Sequence, residues 1–257
     1  MATLRIVCWN VLHRVHAENY HEPSIGIFPD ESLRVSRVAA RVRAWMDEGV
    51  DAVILQEVSG DVVKALRDSI AVVGESVGAV HVHTYPRVPS FKRPTTTMMT
   101  ERSEHLVIVT ANRDATVIAA ETFPDDPGKG FLAVRAGGII YASTHISYGA
   151  LLIPQLTAIT QYVRGACFDN GIAVVGGDFN AEAGVTASAL GSDFVLADLR
   201  NEPVTRPSAT GPGATIDHVI AFGAVCTGAR VLDDESLSDH RPVATEFETN
   251  RKGHHEH

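Results

Sequence analysis

Positive charge is what this 257-residue chain has too little of. Twenty-two Lys+Arg face 31 Asp+Glu, a formal net charge of −9 with histidine neutral. The deficit excludes a general-purpose polyanion binder, because long-range attraction to phosphate is missing; a local basic patch or a metal is the remaining route to a nucleic acid. Cysteine is also scarce. Cys8, Cys167 and Cys226 are far apart and form no CxxC, which excludes a disulfide framework and a zinc–thiolate cluster. They read as small apolar residues suited to a reducing cytosol, so a cytoplasmic location is expected. No apolar run approaches the ~20 residues that span a bilayer, and Met1–Asn10 reads as a strand rather than a signal peptide. Repeats and Gly/Ser-rich linkers are absent. With 45% hydrophobic residues, the chain is globular and enzyme-sized. One domain over 1–249 is expected, with 250–257 as a solvated tail.

Apolar periodicity supplies the elements. Leu4–Trp9 alternates as a strand, and Val11–Pro29 follows as a long irregular segment with His13, His16 and His21. Apolar residues from Leu33 to Met46 recur at helical spacing, with Asp30 or Ser32 as cap and Gly49 as stop. The outward arginines Arg34, Arg37, Arg41 and Arg43 are expected to form a solvated face. Asp51–Gln56 is a buried strand, and Ser59 caps a second helix. Strands are predicted at 79–85, 106–110, 115–121, 131–135, 139–145, 172–175, 216–222, 225–232 and 242–247, with a helix at 155–167. Two strand-rich halves with helices between them predict two sheets packed face to face, helices outside.

Polar residues collect where strands end: Trp9-Asn10, Gln56-Glu57, Thr144-His145, Asp178-Phe-Asn180 and Ser238-Asp239-His240, with Asp217 inside the apolar run that begins at Ile216. Ligands gather outside strand ends in open sheets, so these groups can converge although they are scattered along the chain. Glu57, Asp178 and Asp239, with the Asn10 and Asn180 carbonyls, are oxygen donors suited to Mg²⁺, Mn²⁺ or Ca²⁺ rather than zinc. One ion fits this inventory, and two are compatible with it. His145 and His240 are then available as acid, base or donor to a phosphoryl oxygen. That is the equipment of phosphoester hydrolysis.

Taken in order, Trp9-Asn10, Leu55-Gln56-Glu57-Val58, Ser143-Thr144-His145, Gly176-Gly177-Asp178-Phe179-Asn180, Ile216-Asp217-His218 and Ser238-Asp239-His240-Arg241-Pro242-Val243 resemble the endonuclease/exonuclease/phosphatase superfamily. Its members include DNase I-like nucleases, AP endonucleases, deadenylases, inositol polyphosphate 5-phosphatases and neutral sphingomyelinases. The blocks span residues 9 to 243. The resemblance implies a four-layer α/β sandwich, DNase I-like, whose two central mixed, mainly antiparallel sheets carry a divalent-metal site at one rim.

It also implies roles. Glu57 resembles the metal-ligating glutamate and Asn10 the asparagine that helps hold metal or phosphate; Asp239 resembles a further metal-side carboxylate. Asp178 resembles the aspartate that orients or deprotonates the attacking water, with Asn180 as its partner. His145 resembles the phosphate-binding histidine. Asp217 and His240 resemble an Asp–His pair in which the acid fixes the imidazole; general base and transition-state donor both stay open for His240. The implied cofactor is Mg²⁺ or Mn²⁺, and the implied substrate is a nucleic acid or a small nucleotide, sugar-phosphate or lipid-headgroup phosphoester. A catalytically silent phospho-ligand binder is the rival.

The pattern departs from the family in places. Thr215 stands where many members have Arg. Tyr85, Glu101 and Glu104 compete for the mid-chain place near the phosphate, with Glu104 the candidate support for His145. The 13–30 segment is longer than in compact nucleases and is expected to line the substrate pocket. Lys92 and Arg93 beside Phe91 form a basic–aromatic cluster able to touch a phosphate backbone or a base. His81, His83 and His218 read as structural, whereas His13, His16 and His21 carry no recognisable spacing.

Overall fold

The computed structural model describes residues 2–70, 78–167 and 171–249; the tail expected at 250–257 lies outside them. The first half runs β1 (Ala2–Asn10), α1 (Arg14–Tyr20), α2 (Ser24–Ile27), α3 (Glu31–Asp47), β2 (Ala52–Ser59), α4 (Gly60–Ile70), β3 (Ala79–Thr84) and β4 (Glu104–Thr110). The second runs β5 (Thr116–Phe123), β6 (Asp126–Ala136), β7 (Ile139–His145), α5 (Leu152–Ala166), β8 (Ile172–Asp178), α6 (Ala183–Ala189), β9 (Phe194–Leu196), β10 (Asp217–Phe222), β11 (Ala224–Val231) and β12 (Val243–Thr249). One six-stranded sheet has the order β11-β12-β1-β2-β4-β3 and the other β5-β6-β7-β8-β10-β9. Both are mixed, and mostly antiparallel. No helix of the described residues is long and apolar enough to cross a membrane.

Strand alternation sorts the core. From β1, Leu4, Ile6 and Cys8 enter the layer between the sheets, where they meet Ile54, Ile108, Leu132 and Val174. Val7 and Trp9 point the other way, onto Val38, Val42 and Trp45 of α3 and Leu66 of α4. On the far side Ala142, Val175 and Ile220 pack under Leu156, Ile159 and Val163 of α5. Four layers result, helix–sheet–sheet–helix, as the DNase I-like reading requires.

Parallel pairing at the centre of each sheet makes the rim. β1 and β2 run parallel with Asn10 opposite Gln56, and β7 and β8 run parallel with His145 opposite Asp178. Antiparallel β10 begins there too, with Asp217 opposite Asp178. Two glycines let the backbones approach at this end. A Cβ on Gly177 would lie 2.2 Å from the Thr144 carbonyl oxygen, and one on Gly176 would lie 3.1 Å from Cys8 Sγ of the facing sheet. Buried Gln56 bridges the sheets, donating from Nε2 to Ser143 Oγ at 3.1 Å.

Three expectations are corrected. The 11–29 segment is not irregular: α1 and α2 occupy it, and α1 is capped by His13 Nδ1 accepting from the Val15 amide at 3.2 Å. Histidine is an unusual cap, which hid this helix. The three-residue β9, held on β10, is too short for a periodicity signal. Arg34 does not face solvent. Its side chain is 2% exposed, and its guanidinium binds both Glu31 oxygens (2.8 and 2.7 Å) and the carbonyls of Val11 (2.8 Å), Leu12 (2.9 Å) and Leu237 (2.9 Å). Arg37 and Arg41 lie over the Phe28 and Trp45 rings.

Replacing Arg34 by Met would leave the buried Glu31 carboxylate with only Arg14, at 3.6 Å, and would strand three carbonyls. We expect a loss of about 3–5 kcal/mol, the usual result of removing one partner of a buried ion pair, measured by urea unfolding.

Candidate active site

The β2 backbone leaves regular geometry where the site begins. Its pairing with β4 shifts between Leu55 and Val58, and Glu57 adopts φ 53°, a left-handed conformation rare outside glycine. Asn180 does the same at φ 50° just after β8. Strain of this kind costs about 1–3 kcal/mol per residue and persists where surrounding contacts over-determine it. At Glu57 those contacts are its carboxylate bonds: Oε1 accepts from Asn10 Nδ2 at 3.2 Å and Oε2 from the His13 amide at 3.2 Å.

Asn10 Nδ2 also donates to Asp178 Oδ2 at 3.1 Å, while its Oδ1 accepts from the Leu12 amide at 3.0 Å. Its carbonyl oxygen is thus engaged by the backbone, and its amide holds the two carboxylates side by side. Asp178 Oδ1 accepts from the Asn180 amide at 2.9 Å, and Asn180 Nδ2 donates to the Ile146 carbonyl at 2.8 Å. His145 Nε2 lies 3.3 Å from Asp178 Oδ2 and 3.9 Å from Glu57 Oε1. On the other flank His240 Nδ1 lies 2.8 Å and 3.0 Å from the two Asp217 oxygens, and its Nε2 stands 3.9 Å from Asp178 Oδ2 and 3.9 Å from Asp239 Oδ1. The sequence-predicted residues Asn10, Glu57, His145, Asp178, Asn180, Asp217, Asp239 and His240 therefore meet at one rim.

The others divide. Glu104 reaches the same rim but does not support His145: its Oε2 pairs with His16 Nε2 at 3.1 Å. The buried Tyr85 hydroxyl has no hydrogen-bond partner. Lys92 and Arg93 are exposed and fastened to the far end of α1, with the Lys92 amide on Asn19 Oδ1, Lys92 Nζ over the Tyr20 ring and Arg93 on His21. They face none of the rim groups. Arg206 approaches Asp239 Oδ2 at 3.2 Å and Glu22 at 3.8 Å, a basic group near the acids although Thr215 is not Arg. The expected wall role of the 13–30 segment has a geometric counterpart. A cavity of about 660 Å³ beside Asp239 lies between Glu22, Ser24 and Ile27 on one side and Arg206 and Pro207 on the other. His218 turns away, to the Ala181 carbonyl at 2.7 Å.

Sequence reading passed over three site residues. His13 and His16 arrive because α1 presents them one turn apart, their rings 5.5 Å from each other; the missed helix hid this spacing. Lys129 of β6 reaches His145 Nε2. Its sequence signal is a lysine between Gly128 and Gly130, just before the apolar run Phe131–Val134.

Charge is arranged in alternation. Burial works against ionised Glu57, but His16, His145 and Lys129 outweigh it and hold the carboxyl far below its ordinary range. Asp178 is held down in the same way, burial opposing and His145, His240 and Lys129 prevailing. Burial would lower His240, yet Asp217, Asp178 and Asp239 push it up to about 10. His13 is driven down to about 4, by burial first. Burial raises Asp239, and Glu57 adds to it, against His240 and Arg206. These groups fit a hard divalent ion. Ligand atoms of Glu57, His145 and Asp178 lie within 4.8 Å of one another, as do those of Asp178, Asp217 and His240. Asp239 Oδ1 is buried without a partner, an orphaned oxygen that a cation would satisfy.

The sequence model of the Endonuclease/Exonuclease/phosphatase family matches residues 7–240. No curated protein matches the chain. Among solved structures, an endonuclease/exonuclease/phosphatase family protein from Bacteroides thetaiotaomicron has a TM-score of 0.67 at 16% identity, over 100% of this chain and 98% of its own. One from Bacteroides vulgatus has a TM-score of 0.66 at 17% identity, over 97% and 100%. TDP2 of D. rerio, solved with a single-strand DNA product, has a TM-score of 0.64 at 14% identity, over 97% and 100%.

The Asp217–His240 bond gives a pH signature in metal-free protein. A folded-state value near 10 against 6.5 means that its stabilisation is complete below 6.5 and drains away as pH rises through about 10. In EDTA, stability to urea should fall over that window, and Asp217→Asn should flatten the decline.

Proposed function

The chain belongs to the endonuclease/exonuclease/phosphatase family, and we propose that it is a Mg²⁺- or Mn²⁺-dependent phosphoester hydrolase, acting on a phosphodiester by in-line attack of water. The observation that carries this reading is the convergence of Glu57, Asp178, His145 and the Asp217–His240 pair, with neighbouring charged atoms 2.8 to 3.9 Å apart. The fold likeness alone, at these identities, supports the architecture only.

Glu57, Asp178 and Asp239 are the residues that would hold the ion, with Asn10 fixing the first two. When bound, the ion supplies positive charge at the phosphoryl oxygens and the leaving oxygen. Asp178, kept ionised, accepts a hydrogen bond from the attacking water and aligns it. His240 is kept protonated at neutral pH, which favours the donor role over the base role: its Nε2–H serves a phosphoryl oxygen while Asp217 holds Nδ1. Asn180 keeps Asp178 in position. All these groups being present and mutually oriented argues against a silent binding scaffold.

Two observations favour a small substrate as the second reading. The net charge of −9 opposes long-range nucleic-acid capture. The cavity beside Asp239 has the volume of a small-molecule site. The three free cysteines accord with the cytoplasmic setting we also propose.

In Mg²⁺, hydrolysis of bis(p-nitrophenyl) phosphate should be abolished by EDTA and restored by Mg²⁺ or Mn²⁺. Glu57→Ala, Asp178→Asn and His240→Ala should each lower kcat by about 10²–10⁴-fold. Activity surviving all three would end the proposal. Salt separates the substrates. A nuclease contacting several phosphates loses affinity steeply with rising salt, at a log–log slope of about −0.7 per phosphate on single strands, whereas a small phosphoester should respond little.

A further inference from the structure

Lys129 has no part in the reading above, yet among the described residues no carboxylate closes an ion pair on this ammonium although the rim's acids surround it. Every neighbouring acid is engaged elsewhere. Asp178 serves Asn10, Asn180 and His145. Glu57 serves Asn10 and the His13 amide, and Glu104 is paired with His16. Asp126 accepts from the Gly128 amide and from Ser147 Oγ. These four carboxylates act on Lys129 through space, against a burial that lowers its pKa, without any of them closing an ion pair on it.

What Lys129 does touch is the Nε2 edge of His145. That edge also faces Asp178 at 3.3 Å, and Nδ1 of the same ring is buried without a partner. An imidazole is a poor counter-ion for an ammonium. β6 and β7 pair with Gly130 opposite His145, so the lysine one residue before Gly130 is anchored on a rigid strand beside the ring. A half-buried cation whose nearest partner is another potential donor, both beside the point where the two carboxylates meet, is a receptor for the oxygen of an incoming anion. A lysine placed only for structure would close on a carboxylate; Lys129 stands beside four and closes on none of them.

We propose that Lys129 is a catalytic residue that, together with His145, binds a non-bridging oxygen of the substrate phosphoryl group. The inference rests on the hydrolase reading and deepens it. Water forms the new O–P bond and releases a proton to solvent past Asp178, the P–O bond to the leaving group breaks with its electron pair going to the leaving oxygen, and Lys129 keeps its protons, stabilising charge on the oxygen it holds throughout.

Three variants and two readouts test this. Lys129→Met and Lys129→Ala should lower kcat for bis(p-nitrophenyl) phosphate by about 10²–10³-fold, the usual result of deleting one donor to a developing oxyanion. Lys129→Arg, which keeps the charge, should recover most of that loss. Added ethylammonium should restore part of the Lys129→Ala rate saturably, which repair of a fold defect would not do. Independently of turnover, titrating inorganic phosphate calorimetrically, in Mg²⁺ and again in EDTA, should show affinity at least about tenfold weaker in Lys129→Met than in the parent. Thermal melts of the variants check the fold. If Lys129→Met binds phosphate and turns over within about twofold of the parent, the proposal is overturned, and equally so if ethylammonium rescues nothing while Lys129→Arg is as inactive as Lys129→Ala. Should the parent hydrolyse no phosphoester yet bind phosphate through Lys129, the hydrolase reading fails and the anion site stands.

Discussion

A single buried guanidinium holds the rim together. Arg34 leaves α3 and takes three backbone carbonyls that belong to two different loops: Val11 and Leu12, just past the end of β1, and Leu237, just before Ser238-Asp239-His240. Asn10 and His13 lie on one of these loops and Asp239 and His240 on the other, so both halves of the constellation are referenced to the same planar group. Its charge is matched by Glu31 one turn earlier on the same helix. A lysine could not reproduce this fork, because one ammonium cannot serve three divergent oxygens and a carboxylate in a plane. Ser238 adds a direct tie, donating from Oγ to the Asn10 carbonyl at 2.7 Å, and Trp9 adds another from Nε1 to the His240 carbonyl at 2.9 Å.

On that frame the electrostatics follow from crowding. Carboxylates packed this close would protonate if left alone, since burial disfavours their charge. They stay ionised because imidazoles and an ammonium are interleaved with them, and the histidine with the closest acid partner, His240, becomes the most firmly protonated. Each charged group is therefore a condition for its neighbour's charge, and the rim behaves as one titrating unit.

The strand-end residues were legible because their chemistry is unusual where it falls: acids and amides closing apolar runs have few structural reasons to be there. The two sheets were legible from period-two alternation, as in β1, although which set of β1 faces the other sheet was not. What escaped detection did so for identifiable reasons. α1 has seven residues, begins with a histidine cap and carries the buried Arg14 on its inward side, so its pattern resembles no amphipathic helix; with it went the meaning of His13 and His16. Glu104 was one of three candidates for a place near the site; it reaches the rim, but its partner, His16, came from that unread helix. Arg34 sits at a position that helical periodicity leaves at the edge of the apolar stripe, and only the loops folding over α3 decide that such an edge is covered. Lys92 and Arg93 illustrate the converse, a motif-like cluster whose contacts are local.

Gly176 carries a consequence of its own. It opposes Cys8 at the neck where the two sheets draw nearest, and even a methyl group there would press on Cys8 and on Ile54. Two residues further along the facing strands come Asp178 and Asn10, so the thickness of that neck sets how far apart the oxygens from opposite sheets can stand. Loops can reshape what approaches the rim, but the gauge of the rim itself is fixed by a hydrogen atom in place of a side chain.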